Sequence, residues 1–146
     1  MEWIEKDFSQ LTATEVYEIL KSRSRIFMLE QGICCLDMDD MDYRSRHFFF
    51  REGNQVIAYL RAFPLETEGE IKIGRVLTLT HGKGLGRLLM EKSLAGICRD
   101  MRAETVLVDA QVQAAPFYEK CGFVPVSEEF LEEGIPHIKM VKEIQK

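Results

Sequence analysis

The middle of this chain admits few folds, because a strand-like run empties at once into a glycine-rich turn and then a helix-like run. Glu70 to Leu79 reads as a strand with Ile71, Ile73, Leu77 and Leu79 on one face. Gly82-Lys83-Gly84-Leu85-Gly86 follows. Leu85, Leu88, Leu89, Leu94, Ile97 and Met101 then recur at helical spacing to about Arg102. Glycines at a strand-to-helix turn let the backbone approach a ligand and expose the free N–H groups of the first helical turn. Those donors, with the positive end of the helix dipole, make an anion site suited to phosphate. Lys83 and Arg87 add positive charge. The competing reading is a tight turn whose glycines only permit packing.

Two familiar phosphate loops do not fit. No G-x-x-x-x-G-K-[ST] run exists. The dinucleotide fingerprint G-x-G-x-x-G takes Gly82 and Gly84, but its third position falls on Arg87. The turn also follows the fourth strand of the chain rather than the first.

Around this unit the pattern predicts a short strand over residues 2 to 6. A helix starts at the capping box Thr12-x-x-Glu15 and runs to about Leu29. Residues 32 to 46 form an acidic loop carrying Asp37, Asp39, Asp40 and Asp42. His47–Arg51 and Gln55–Phe63 are strands joined by a turn at Arg51-Glu52-Gly53-Asn54. After the central helix come a strand over Thr105–Ala110, a short helix over Ala114–Lys120 with Pro116 in its first turn, and strands from Phe123 and over Ile135–Val141. The order is β-α-β-β-β-α-β-α-β-β. The strand–helix–strand unit favours parallel pairing of Glu70–Leu79 with Thr105–Ala110, and hairpins elsewhere make the sheet mixed.

No repeat, low-complexity run or Gly/Ser/Pro linker divides the 146 residues, which read as one domain over 1–146. A formal net charge of -5 argues against a general nucleic-acid binder. No apolar run approaches the roughly 20 residues that span a bilayer, and the charged start Met1-Glu2-Trp3-Ile4-Glu5-Lys6-Asp7 is no signal peptide. Cys34, Cys35, Cys98 and Cys121 have the spacing of neither a disulfide framework nor a zinc cage. The acidic loop lacks EF-hand spacing. We therefore expect a reduced cytoplasmic protein with no metal, no membrane and no nucleic-acid partner. The acidic loop is either a solvated face or a rim that attracts a cationic amine.

A second motif carries a resemblance. Ala110-Gln111-x-x-Ala114-x-x-Phe117-Tyr118-x-x-x-Gly122-Phe123, read after the glycine turn, resembles the GNAT family of N-acetyltransferases. Phe27-Met28-Leu29-Glu30-Gln31, Gly74-Arg75-Val76, Leu89-Met90 and the ending Glu133-Gly134-Ile135-Pro136-His137-Ile138-Lys139-Met140 resemble its small ElaA-like bacterial branch, so the likeness spans nearly the whole chain.

The resemblance implies an α/β (α+β) fold. It is a mixed, mostly antiparallel central sheet with two splayed parallel strands flanked by helices. It implies acetyl-coenzyme A as cosubstrate, entering the gap between those strands. Backbone around Val76 and Leu77 would polarise the thioester carbonyl. His81, Gly82, Lys83, Gly84, Leu85, Gly86 and Arg87 would hold the pyrophosphate, with Gln111, Ala114, Phe117 and Tyr118 lining the remainder. Tyr118 would protonate or hydrogen-bond the departing thiolate; its plainer role is core packing beside Phe117. His81 departs from the usual Gln or Arg, and the stretch from Val76 to Gly82 is shorter than usual. If His81 must be charged, coenzyme affinity weakens as pH rises from about 6 to about 8.

The implied reaction is direct attack of a primary amine, on a small molecule or a peptide, within a ternary complex. An alkyl ammonium has a pKa of about 10.4, so a base must remove its proton. Glu30, His137, His47 and Asp109 are candidates, as is an ordered water chain; Glu30 and His137 are placed with Tyr118 as catalytic. A homodimer is common in the family. The alternative is a coenzyme A-binding regulatory or interaction module without catalysis.

Overall fold

The computed structural model describes residues 1–144. In chain order its main elements are β1 (Glu2–Asp7), α1 (Ala13–Arg23), β2 (Arg46–Glu52), β3 (Gln55–Pro64), β4 (Glu70–Thr78), α2 (Leu85–Asp100), β5 (Thr105–Gln111), α3 (Ala115–Lys120), β6 (Val124–Pro125), β7 (Phe130–Glu132) and β8 (Ile135–Glu143). One eight-stranded sheet runs β1-β2-β3-β4-β5-β8-β6, with β7 added on β8. The β4–β5 pair is parallel, and the other pairs among the described residues are antiparallel. The expected mixed, mostly antiparallel architecture is the one observed. No helix among the described residues is long and apolar enough to cross a membrane.

Local chemistry accounts for the element starts. Both halves of the capping box form: Glu15 N–H donates to Thr12 Oγ1 at 3.1 Å, and Thr12 N–H donates to Glu15 Oε1 at 2.8 Å. The helix predicted to run to Leu29 changes character at Ser24, where a π-helical stretch continues to Glu30. The wider turn is a local departure that periodicity does not announce.

Two cores lie on the two sheet faces. On the α2 side, Phe48, Phe50, Leu60, Ile71, Ile73, Leu89, Ile97, Val106 and Phe123 pack together. On the α1 side are Ile4, Ile19, Ile26, Phe49, Val56, Tyr59 and Leu77. This corrects one expectation: Ile71 and Ile73 do not share a face with Leu77 and Leu79. Arg61 pairs with Gly74 and Tyr59 with Leu77, so Leu60 faces two residues, Arg75 and Val76. That β-bulge, with Arg75 at φ +54°, inserts one extra residue into β4 and inverts its alternation.

Sequence reading also missed β7. It returns to β8 through the two-residue loop Glu133-Gly134, both at positive φ (+51° and +75°), the signature of a type I′ turn. Glu-Gly is a weaker hairpin signal than Asn-Gly, and a three-residue strand leaves little pattern to read.

Candidate functional site

Pairing between β4 and β5 runs from Glu70↔Thr105 to Ile73↔Val108 and stops there. Past that point β4 stays with β3, through Gly74↔Arg61, Leu77↔Tyr59 and Thr78↔Ala58. β5 stays with β8, through Asp109↔Lys139, Ala110↔Ile138 and Gln111↔His137. The two central strands therefore diverge and leave a gap edged by backbone. Leu79 N–H donates to Ile57 O at 2.8 Å, toward β3. Strand alternation then turns the N–H groups of Thr78 and Val76 toward the gap.

The glycine turn closes one end of this gap. Gly82 and Gly84 adopt φ +77° and +73°, a region that suits glycine, and open space surrounds both Cα positions. Gly84 is the N-cap of α2 and brings no side chain to cap it. The N–H groups of the first turn are thus left for a ligand. Gly86 serves a different end: a Cβ there would lie 3.4 Å from the Phe117 ring and 3.8 Å from Thr78. Those are ordinary contact distances, and they show that the α2 start packs on the β4 end and on α3. This geometry fits a diphosphate bound to backbone amides.

Tyr118 sits in that junction on α3. Its ring packs edge-on against Phe117 and Phe123, with centroids 5.2 and 5.7 Å away. Burial pushes its phenol well above the ordinary value, with Cys121 adding to the shift. Among the described residues its hydroxyl has no hydrogen-bond partner. A phenol so placed is protonated at neutral pH and is free to donate.

At the mouth, the end of the π-helical stretch reaches both diverging arms. Glu30 Oε1 lies 3.1 Å from His81 Nε2, just past β4, and Gln111 Nε2 at the end of β5 donates to Gln31 Oε1 at 2.8 Å. Glu30 and His81, 51 residues apart in the chain, thus form one exposed pair. Lys83 is exposed, and the guanidinium of Arg87 is paired with Glu91 at 3.4 Å.

Residues 35–144 match the sequence model of the acetyltransferase (GNAT) domain. The chain belongs to the GNAT family. It is 32% identical to protein ElaA of Escherichia coli, over 99% of this chain and 97% of that one. Its fold superposes on the crystal structure of ElaA with a TM-score of 0.90 at 31% identity, covering 98% of this chain and 100% of that one. The TM-score is also 0.90 against an acyl-CoA N-acyltransferase from Pseudomonas aeruginosa, at 34% identity over 97% of this chain and 99% of that one.

Other polar residues of this GNAT domain are engaged elsewhere. His47 is buried, with Nδ1 2.7 Å from the Tyr59 hydroxyl and Nε2 2.9 Å from Asp42 O. Burial holds its pKa below the ordinary value, and Arg23 and Arg61 push the same way. His137, opposite Gln111 on β8, stacks on Phe130, and its Nδ1 donates to Ile135 O at 2.7 Å. Its Nε2 lies 3.6 Å from Glu132. Asp109 pairs with Lys72 at 2.8 Å.

Three of the four aspartates of the acidic loop are paired with arginines, and Asp40 alone is exposed without an ion pair among the described residues. Asp37 meets Arg23 and Arg75 at 2.9 Å each; Asp42 meets Arg23 at 2.7 Å and Arg61 at 3.0 Å; Asp39 meets Arg61 at 2.6 Å. Arg61 holds the Asp39 carboxyl down at about 2. For Asp42, burial pulls upward, but the Arg23 and Arg61 partners outweigh it and the pKa falls. The three arginines come from α1, β3 and β4, too far apart in sequence for spacing to reveal. A separate cavity of about 250 Å³ lies under this loop, lined by Phe8, Leu11, Ile19, Met38 and Tyr43, with His47 also at its wall. It shares no residue with the gap.

Proposed function

We propose that this chain is an acetyl-coenzyme A-dependent N-acetyltransferase, an acyltransferase that acts on the primary amine of a small molecule or peptide by direct attack in a ternary complex. The observation that carries the reading is the gap between β4 and β5, with uncapped α2 amides at its end. Leu85, Gly86 and Arg87 offer backbone N–H groups to the pyrophosphate, and Gly82, Lys83 and Gly84 shape the approach. Backbone at Val76 and Leu77, with Gln111, Ala114 and Phe117 across the gap, is assigned to the pantetheine arm. When bound, acetyl-coenzyme A supplies an activated acyl group.

The remaining chemistry belongs to the protein. The Val76 N–H polarises the thioester carbonyl. Tyr118, kept protonated by burial, donates to the departing thiolate. Glu30, paired with His81, accepts the proton of the incoming ammonium. The neutral amine nitrogen adds to the acyl carbon first, and the bond from that carbon to sulfur then breaks; the nitrogen sheds its second proton, which restores the phenol of Tyr118 after that group has protonated the sulfur. His137, with its ring held inside the β7–β8 hairpin, is left outside the proton transfer.

Calorimetric titration with acetyl-coenzyme A, followed by free-thiol release across an amine panel, tests this. Binding with amine-dependent thiol release is expected. Binding without release for any amine would leave a non-catalytic coenzyme A module, and no heat of binding would remove both readings.

A further inference from the structure

We propose that Arg75 is a positioning residue for acyl transfer: its guanidinium, clamped on Asp37, holds the β4 bulge that aims the Val76 N–H into the gap. The inference rests on the acetyltransferase reading.

Arg75 occupies the left-handed region at φ +54°. An L-residue with a long side chain gains nothing locally from that conformation and needs outside support. Gly74, one residue earlier, would adopt it freely, yet Arg75 takes it. The support is visible. Arg75 Nε donates to Asp37 Oδ1 at 2.9 Å, and Nη2 donates to Asp37 O at 2.8 Å. Asp37 is itself anchored, since its other carboxylate oxygen meets Nε of the fully buried Arg23 at 2.9 Å. The bulge is therefore tied to a fixed point on α1 rather than to a loose surface carboxylate.

The position decides what the clamp does. The peptide unit that carries the Val76 N–H is the one joining Arg75 to Val76, so the backbone angles of Arg75 set its direction. β5 has already left β4 at Ile73, so no neighbouring strand holds that peptide on the gap side. Removing a well-aimed donor to a reacting carbonyl costs about 100- to 1,000-fold in rate, and loosening one costs less.

The test is Arg75→Ala, with Arg75→Lys as the variant that keeps charge but not the fork. Three readouts are taken: cooperative melting, acetyl-coenzyme A affinity by calorimetry, and the carbonyl stretch of bound, isotope-labelled acetyl-coenzyme A. Turnover with the best amine of the panel is added. In the wild type the bound carbonyl stretch shifts to lower frequency. In Arg75→Ala that shift is lost and kcat falls about tenfold or more, while acetyl-coenzyme A affinity stays within about twofold. Arg75→Lys recovers little of either, and it carries the same test should Arg75→Ala fail to melt cooperatively. A surviving shift with unchanged kcat overturns the positioning role alone. So does loss of acetyl-coenzyme A binding in a folded Arg75→Ala. Failure of the wild type to bind acetyl-coenzyme A overturns the acetyltransferase reading, and this inference with it.

Discussion

Tyr118 shows how one side chain joins packing to chemistry. Its ring is a core residue, and its hydroxyl is the group left over, so the two roles weighed from sequence are compatible. Tyr118→Phe keeps the ring contacts and removes only the donor. It is expected to lower kcat about 10- to 100-fold with little change in acetyl-coenzyme A affinity; steady-state kinetics beside calorimetry reads the split, and equal turnover would end the acid role. His47 and Asp39 carry a prediction of another kind. Both have folded pKa values below their unfolded ones, so both contribute stability that is complete at higher pH. As pH falls below about 6.5 the unfolded chain protonates its histidine before the folded one does, and stability drops. The aspartate contribution follows between about 4 and 2. Thermal melts at stepped pH should show the first loss in the wild type, and His47→Gln should flatten it. An unchanged slope in that variant would assign the loss to other groups.

Among the elements, the helix starts were the most legible and the β6–β7 end of the sheet the least, while edge strand β1 formed where its pattern put it. The Thr12/Glu15 box starts α1 where its pattern says, because both hydrogen bonds are local in sequence. Gly96 looks at first like a weakness in α2, since glycine in a helix interior costs about 1 kcal/mol relative to alanine. The reason for it is tertiary. A Cβ there would lie 2.7 Å from Glu5 Oε1 and 2.8 Å from the Phe48 ring, so its absence lets α2 rest on β1 and β2. Gly96→Ala is expected to destabilise by about 1–3 kcal/mol despite the better helix propensity. Chemical denaturation with an unchanged m-value checks this, and a stabilised variant would show that the contact yields easily. The β4 bulge was hidden for a related reason: the run Ile71, Ile73, Leu77, Leu79 is what an unbroken strand would also present.

For the whole molecule the decisive feature is a sheet whose central parallel pair lets go halfway. A ligand that fills the gap and binds only the folded state stabilises it by mass action. At 100 times its dissociation constant, acetyl-coenzyme A should add about 2.7 kcal/mol, a rise of about 5–10 °C in melting temperature for a chain of this size. Thermal shift against ligand concentration measures it; a flat curve would mean that the gap takes no coenzyme. The loop over residues 34–45 belongs to the same scale. Its aspartates read as a charge run, but the fold gives three of them arginine partners from three separate elements, so the loop joins α1 to the middle of the sheet.

The sequence by itself determined the local events: the capping box, the glycine turn, the helical stripe of α2 and the order of the elements. Each of these depends on residues a few positions apart, whose geometry the backbone dictates. Several motifs in that order were enough to identify the family. Only the tertiary structure decided where β4 and β5 part, which face Leu77 takes after the bulge, and which charges the aspartates meet. It also decided that Glu30 reaches His81. Those outcomes depend on contacts between residues tens of positions apart, and a chain's pattern does not state which distant partners a fold will bring together.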